Sequence, residues 1–520
     1  MGNRTATGNW VGKKQAAAFE KLAQKIKQAA DFEEYVQRQS AEDIGELVRF
    51  FDDFSNHCAL NRSGEKLLRQ DFENALLYYE TAGVPLRSAL ERLSIDHLGG
   101  FYTRPPILYY ALDDAAKIYP LSMKPGKMAV FRLSVYLNEP VIPVLLQMAL
   151  TFTIKRFPSF ATTVKKGFFW HYLDTAKHRY VVQPENGIPC QALNISRSAS
   201  QSFRVLWYEN RISVEFFHIL TDGTGGMSFL KALTAEYLRL CGIQSSEEGV
   251  LKRNETPTAA ETENSFARAE SAKKSSGFID VPATQMSGRL SKVKPCRVLH
   301  FIMDAQKLKA VATTRNATIT AYVLSKMFLA GKAATDELDG TINIQVPVNM
   351  RKFYPSETVR NFALYCGIRL PIAKIANNQE LIQEIAEQLA SKASREAMSE
   401  MMSATKKMVD ALRYVPLVIK APVARIVYGF LGDGVFSNTL SNLGVVTMPS
   451  GYAAHIQKMD SVLGTSLTSR AGCSMVTFGN IATLSIAKRT ADPSFEEEMF
   501  RLFSEDGIIP EVEGSELYER

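Results

Sequence analysis

The chain lacks the Gly-x-x-x-x-Gly-Lys-Ser/Thr loop that cradles nucleotide phosphates, and it lacks the Gly-x-Ser-x-Gly elbow of the serine hydrolases. Nucleotide hydrolysis and hydrolase chemistry both recede. Six cysteines are scattered over 520 residues without a Cys-x-x-Cys pair, and His57, His97, His171, His178, His300 and His455 show no metal-ligand spacing. Neither a disulfide framework nor a metal site is expected. No stretch has the apolar run of a signal peptide or a membrane span, so the cytoplasm is the expected setting.

Net charge is also scarce outside one segment. Of the net +7, residues 1–30 hold +5, from Arg4, Lys13, Lys14, Lys21, Lys25 and Lys27 against Glu20, which leaves +2 for everything else. No nucleic-acid partner is expected. In that segment Phe19, Leu22, Ile26 and Ala29 form a helical stripe, so a basic amphipathic helix is predicted. Two readings stay open: weak membrane-surface contact through residues 13–30, or packing of the stripe on the body with the lysines in water.

What is present is a large globular chain, 46% hydrophobic, with material for two or three units. Residues 1–105 read as a helical N-terminal extension, with one stripe at Ile44, Leu47, Val48 and Phe51, another at Leu68, Phe72, Ala75, Leu76 and Tyr79, and punctuation at Gly83 and Pro85. Residues 106–243 form a mixed α/β unit. In it 128–137 alternates as a strand, Glu139 and Pro140 suit a helix start, and Val141, Val144, Leu145, Met148 and Phe152 give that helix a buried face. Residues 244–296 turn polar and read as a connector with little regular structure. From 297 to 520 strands and helices alternate again: a strand at 297–303, helices over 304–332, strands near 341–348 and 362–370, a helical region to about 412, and strands from 437 to 488.

The run His218 to Gly223 carries the chemistry. Ile212, Val214 and Phe216 lie on the histidine's side of the strand before it, which directs His218 to a buried face, while Ser213, Glu215 and Phe217 lie on the other. Gly223, Gly225 and Gly226 allow a sharp turn. Leu230, Leu233, Tyr237 and Cys241 then mark a helix that Gly242 stops.

His-x-x-x-Asp-Gly between a hydrophobic strand and an amphipathic helix resembles the motif of the coenzyme A-dependent acyltransferase superfamily, the group with the chloramphenicol acetyltransferase and condensation-domain fold. Residues 109–120, the run Arg156 to Phe160, Val346 to Arg351, Arg360 to Phe362, and Ser441 to Gly444 follow in the family's order and are most similar to bacterial alcohol acetyltransferases. The resemblance spans about 107–505. It implies two mixed-sheet halves facing a central channel, 106–243 and 297–520, joined by the crossover 244–296.

It also implies transfer of an acyl group, acetyl in the simplest case, from acyl-CoA to an alcohol or lipid hydroxyl, with no bound cofactor. His218 is then the general base, and Asp222 and Gly223 shape the turn. Arg351 is the expected partner of Asp222. Ser441 and Asn442 are candidate oxyanion donors, or else a polar strand end satisfied by its own turn. Phe217 stands where condensation domains usually place a second histidine, and no Asp-Phe-Gly-Trp-Gly segment of the plant-type enzymes is present. The alternative is a relative that binds acyl thioesters without turnover, or one that forms amides.

Overall fold

The computed structural model describes residues 31–96, 98, 109–117, 128–175, 178–194, 201–268, 281–420, 433–464 and 469–518. The expected basic helix at 13–30 lies outside these residues. Helices α1 (Ala41–His57), α2 (Arg62–Thr81) and α3 (Leu86–Arg92) come first. Ser40 and Asn61 start α1 and α2 by accepting the N–H groups of Asp43 and Gly64, at 3.1 and 2.8 Å, caps worth about 1 kcal/mol each.

The α2 stripe is buried throughout. On α1 the buried line runs Leu47, Phe51, Phe54, and Val48 is 55% exposed because it sits about 100° around the helix from Leu47. These helices pack as part of the body. The Phe72 ring lies 6.1 Å from that of Phe152, and the Tyr79 hydroxyl donates to the Leu240 carbonyl at 2.7 Å. The extension shares one hydrophobic core with residues 130–137 and 203–217.

The next elements are β1 (Tyr109–Ala111), β2 (Val130–Leu137), α4 (Pro143–Thr153), β3 (Thr163–Lys166), β4 (His171–Asp174), β5 (Val182–Pro184), β6 (Phe203–Tyr208), β7 (Arg211–Phe217) and α5 (Gly223–Leu240). They are followed by β8 (Arg297–Asp304), α6 (Ala305–Thr314), α7 (Ile319–Ala333), β9 (Thr341–Asn349), β10 (Ala363–Pro371), α8 (Gln379–Lys392), α9 (Arg395–Ala411), β11 (Asn438–Val446), β12 (Ile456–Leu463), β13 (Ala471–Phe478), β14 (Ile481–Lys488), α10 (Ser494–Glu505) and β15 (Glu511–Gly514). Three sheets result, with strand orders β1-β4-β3, β12-β2-β7-β6-β5 and β10-β9-β11-β13-β14-β8-β15. The architecture is mixed α/β.

Strand β12 belongs by sequence to the last third of the chain, yet it pairs antiparallel with β2 along its length, Asp460 opposite Ser134 and Leu463 opposite Phe131. The five-stranded sheet is therefore completed by a strand from beyond the crossover.

Both faces of β7 are buried, which alternation alone does not indicate. Ile212, Val214 and Phe216 face an aromatic core in which Phe216, Phe203 and Phe229 stand 5.3 to 6.0 Å apart. Ser213 and Glu215, residue types that usually mark a solvated face, are also fully covered. Arg132 lies 2.7 Å from the Glu215 carboxylate, and Arg204 pairs with its other oxygen. This layer continues through Tyr136, which donates to Asp460 at 2.7 Å, to His300 on β8 of the other sheet. Removing one partner of such a buried pair costs about 3–5 kcal/mol, because the other charge stays behind unpaired. The layer thereby fixes how the two sheets face each other.

The described parts of the crossover have little regular structure, but they are docked. Glu261 is paired with the buried Arg156 at 2.7 Å, and Phe266, fully buried, meets Phe362 edge-on at 5.4 Å. Residues 269–280 lie outside the described set.

Candidate active site

The site is assembled where the turn after β7 meets the segment 349–362. The His218 N–H donates to the Ala129 carbonyl at 2.8 Å, carrying the β2–β7 pairing one residue past the strand. Its imidazole packs against Phe131, ring centroids 5.1 Å apart. The residue as a whole is only partly buried. The protein around it still disfavours the imidazolium, and burial holds the His218 pKa below the usual histidine value against the opposing pull of its own carbonyl, Asp222 and Asn361.

Asn361 decides which nitrogen is basic. Its Nδ2 donates to the His218 carbonyl at 2.6 Å, and a carbonyl can only accept, so the amide orientation is set. Its Oδ1 then lies 3.0 Å from His218 Nδ1, which must carry the proton. The unprotonated nitrogen is Nε2. One side chain thus reads both ends of the histidine residue and holds one tautomer.

Asp222 is fully engaged in the turn. Its Oδ1 accepts the N–H groups of Thr224 and Gly225, both at 3.0 Å, and so caps α5. Its Oδ2 accepts the Phe362 N–H and Arg351 Nη1, each at 2.7 Å. The structure brings Asp222 and Arg351 together, and Arg351 also donates from Nη2 to the carbonyls of Thr358 and Arg360, at 2.8 and 2.7 Å. The Thr221 hydroxyl adds a bond to the Val359 carbonyl at 2.6 Å. Glycine is required at 225 for close approach, because a Cβ there would overlap the Val359 carbonyl, whereas a Cβ on Gly223 would meet only the end of the Leu443 side chain.

A second buried pair stands behind this segment. Arg360, next to Asn361, donates to the Ala111 carbonyl and lies 3.7 Å from Asp113, which is fully buried. Burial outweighs the arginine and pushes the Asp113 carboxyl up to about 6.

The other two candidates lie on β11, where pairing with β13 shifts register between Asn442 and Val445 and Gly444 adopts φ +75°. The bulge carries Leu443 onto Gly223. The Asn442 amide is occupied by the bulge itself: its oxygen accepts the Gly444 N–H at 2.9 Å and its nitrogen donates to Thr320 at 3.0 Å. Ser441 pairs through its backbone in register with Ser474 of β13, and among the described residues its partly exposed hydroxyl has no hydrogen-bond partner.

Residue type alone does not single out Asn361, Asp113 and Arg360 as site residues, although all three lie in segments that resemble the family's. The missing signal is spatial, since Asn361 and His218 are 143 positions apart. One serine–histidine–aspartate grouping elsewhere is not a triad. Ser485 and Asp460 both approach His300 at Nδ1, at 2.9 and 3.8 Å, so no nitrogen is left relayed between them. Among the described residues no cluster of His, Cys, Asp or Glu is arranged to hold a metal ion, and no helix is long and apolar enough to cross a membrane.

No family model and no curated protein matches the sequence. Solved structures do match the fold. TRI101 of F. sporotrichioides, determined with coenzyme A and T-2, superposes with TM-score 0.54 at 13% identity over 78% of this chain and 100% of that one. TRI101 of F. graminearum, determined with coenzyme A and deoxynivalenol, gives 0.52 at 11% over 78% and 100%. The first condensation domain of the calcium-dependent antibiotic synthetase, determined with a substrate analogue, gives 0.50 at 11% over 78% and 95%. The chain shares the fold of these coenzyme A-bound TRI101 proteins and of that condensation domain.

Proposed function

We propose that this protein is an acyltransferase that moves an acyl group, acetyl in the simplest case, from acyl-CoA to an alcohol hydroxyl, with His218 as general base. The observation that carries the reading is the Asn361 clamp, which leaves Nε2 as the basic nitrogen of a neutral imidazole. A thioester is already activated, so a positioned base is the main requirement, and such a group contributes about 100- to 10,000-fold.

In this scheme Nε2 takes the proton of the acceptor hydroxyl as its oxygen bonds to the thioester carbon. The tetrahedral oxyanion then collapses, the carbon–sulfur bond breaks, and the His218 imidazolium returns the proton to the departing thiolate. Asp222, Arg351 and Gly223 hold the turn, and Asn361 holds the tautomer. Ser441 is the assigned oxyanion donor. It is two residues before Leu443, which lies against Gly223, and among the described residues its partly exposed hydroxyl has no hydrogen-bond partner. Asn442 is assigned to the bulge.

The test is release of free thiol from acetyl-CoA and longer acyl-CoAs against pooled alcohols and amines. Alcohol-dependent release that His218→Ala reduces by about 100-fold or more supports the reading. Undiminished release in His218→Ala removes His218 from the mechanism, and release only with amines replaces ester formation by amide formation.

A further inference from the structure

The turn between β3 and β4 and the segment that follows α9 meet in an exposed apolar patch. Phe168 is 72% exposed, Tyr414 75%, Val418 80% and Ile419 57%. These side chains belong to one surface. The Leu417 N–H donates to the Phe168 carbonyl at 2.9 Å, the rings of Phe168 and Phe169 lie 4.8 Å apart, and those of Phe169 and Tyr414 6.2 Å apart. Beneath the patch Trp170 is held by the Lys420 ammonium, 3.3 Å from its ring centroid, which also donates to the Leu412 carbonyl at 2.8 Å. The base is anchored and the tips project.

Exposed side chains this large, contiguous and projecting seldom stand in water without a partner. Their surroundings indicate which partner. In 163–170 and 403–420 Lys165, Lys166, Lys406, Lys407 and Arg413 are at least partly exposed, and Asp410 is the one carboxylate. The Arg413 guanidinium lies over the Tyr414 ring, 5.6 Å from its centroid, and Lys166 immediately precedes the turn that carries Phe168.

We propose that this patch docks the protein on an anionic lipid bilayer, with Phe168, Tyr414, Val418 and Ile419 entering the interfacial region and Lys166 and Arg413 meeting phosphate headgroups. Aromatic and aliphatic tips flanked by cations suit the boundary between headgroups and acyl chains. Protruding tips need a fluid medium that closes around them, whereas a protein partner would have to offer a matching cavity for each. Basic side chains at the rim confer a preference for anionic lipid that weakens with salt. The inference does not depend on the proposed chemistry.

The test is co-sedimentation of the full chain with vesicles of phosphatidylcholine alone and of phosphatidylcholine mixed with phosphatidylglycerol. Tighter binding to the mixed vesicles is expected, with Phe168→Ser/Val418→Ser and, separately, Lys166→Glu/Arg413→Glu each weakening it by about tenfold or more. All four positions are exposed, and thermal unfolding of each variant verifies the fold. Wild-type protein that stays in the supernatant with both vesicles overturns the proposal. So does undiminished binding by the serine variant, which would move the contact to another part of the chain. A wild-type dimer that the serine variant dissociates, without vesicle binding, overturns it in favour of a second copy.

Discussion

Replacing Asp222 by alanine removes acceptors for four donors together: the N–H groups of Thr224, Gly225 and Phe362, and Arg351 Nη1. Losing the helix cap costs about 1 kcal/mol. Stranding a largely buried guanidinium costs about 3–5 kcal/mol. Because Arg351 keeps its bonds to Thr358 and Arg360, the terms overlap, and about 4 kcal/mol is expected for the sum. That is a large share of the roughly 5–15 kcal/mol that holds a domain folded.

Asp222→Asn is a finer probe. Its amide oxygen can still cap α5, but its NH2 group would face the Phe362 N–H and Arg351, donor against donor, so most of the destabilisation should persist. Urea denaturation of wild type and both variants, with m-values compared, measures this directly. The reasoning is refuted if Asp222→Ala unfolds within about 1 kcal/mol of wild type. It is refuted in a more interesting way if Asp222→Asn keeps wild-type stability yet loses turnover as fully as His218→Ala, since the carboxylate would then serve the proton and not the turn.

Further outcomes follow from the same geometry. Because burial holds the His218 pKa below 6.5, kcat/KM for acyl transfer should stay level through neutral pH and fall only as acid protonates Nε2. Asn361→Asp places a carboxylate against Nδ1 and should move that acidic limb to higher pH, a displacement that a merely structural role would not produce, while Asn361→Ala should slow turnover by about 10- to 100-fold. Gly225→Ala forces a methyl into the Val359 carbonyl and should destabilise by about 1–3 kcal/mol or more in thermal unfolding. His171, lowered to about 4 by burial and then Lys166, contributes stability that is present above pH 6.5 and lost as pH falls through 4, and His171→Gln should flatten the change in urea midpoint across that window.

How much was legible depends on whether the information is local. The strand ending at Phe217, the glycine turn and the helix to Leu240 follow from periodicity, and the burial of Leu230, Leu233 and Tyr237 agrees with their spacing. Arg351 was reachable through a resemblance because its motif is contiguous. The task of Asn361 was not, although its segment resembles the family's, since an asparagine's task depends on what stands opposite it and nothing near position 361 names His218. Glu215 looks like a surface residue by type and became a core residue because Arg132 and Arg204 neutralise it from neighbouring strands. Val48 misled because one apolar residue adjacent to a stripe resembles part of it.

The pairing of β12 with β2 has a consequence for how the chain comes off the ribosome. Val130–Leu137 is a rich β-forming sequence whose outer edge has no permanent partner until Ile456–Leu463 emerges, roughly 320 residues later. At about 5–20 residues per second that interval is on the order of tens of seconds. Throughout it a hydrophobic strand edge, the kind that recruits other chains into aggregates, is present on the nascent protein. A co-translational holdase should therefore raise the soluble yield of this protein, and cutting the gene at the crossover should give an N-terminal fragment that fails to stay in solution by itself yet recovers when a peptide covering 456–463 is supplied.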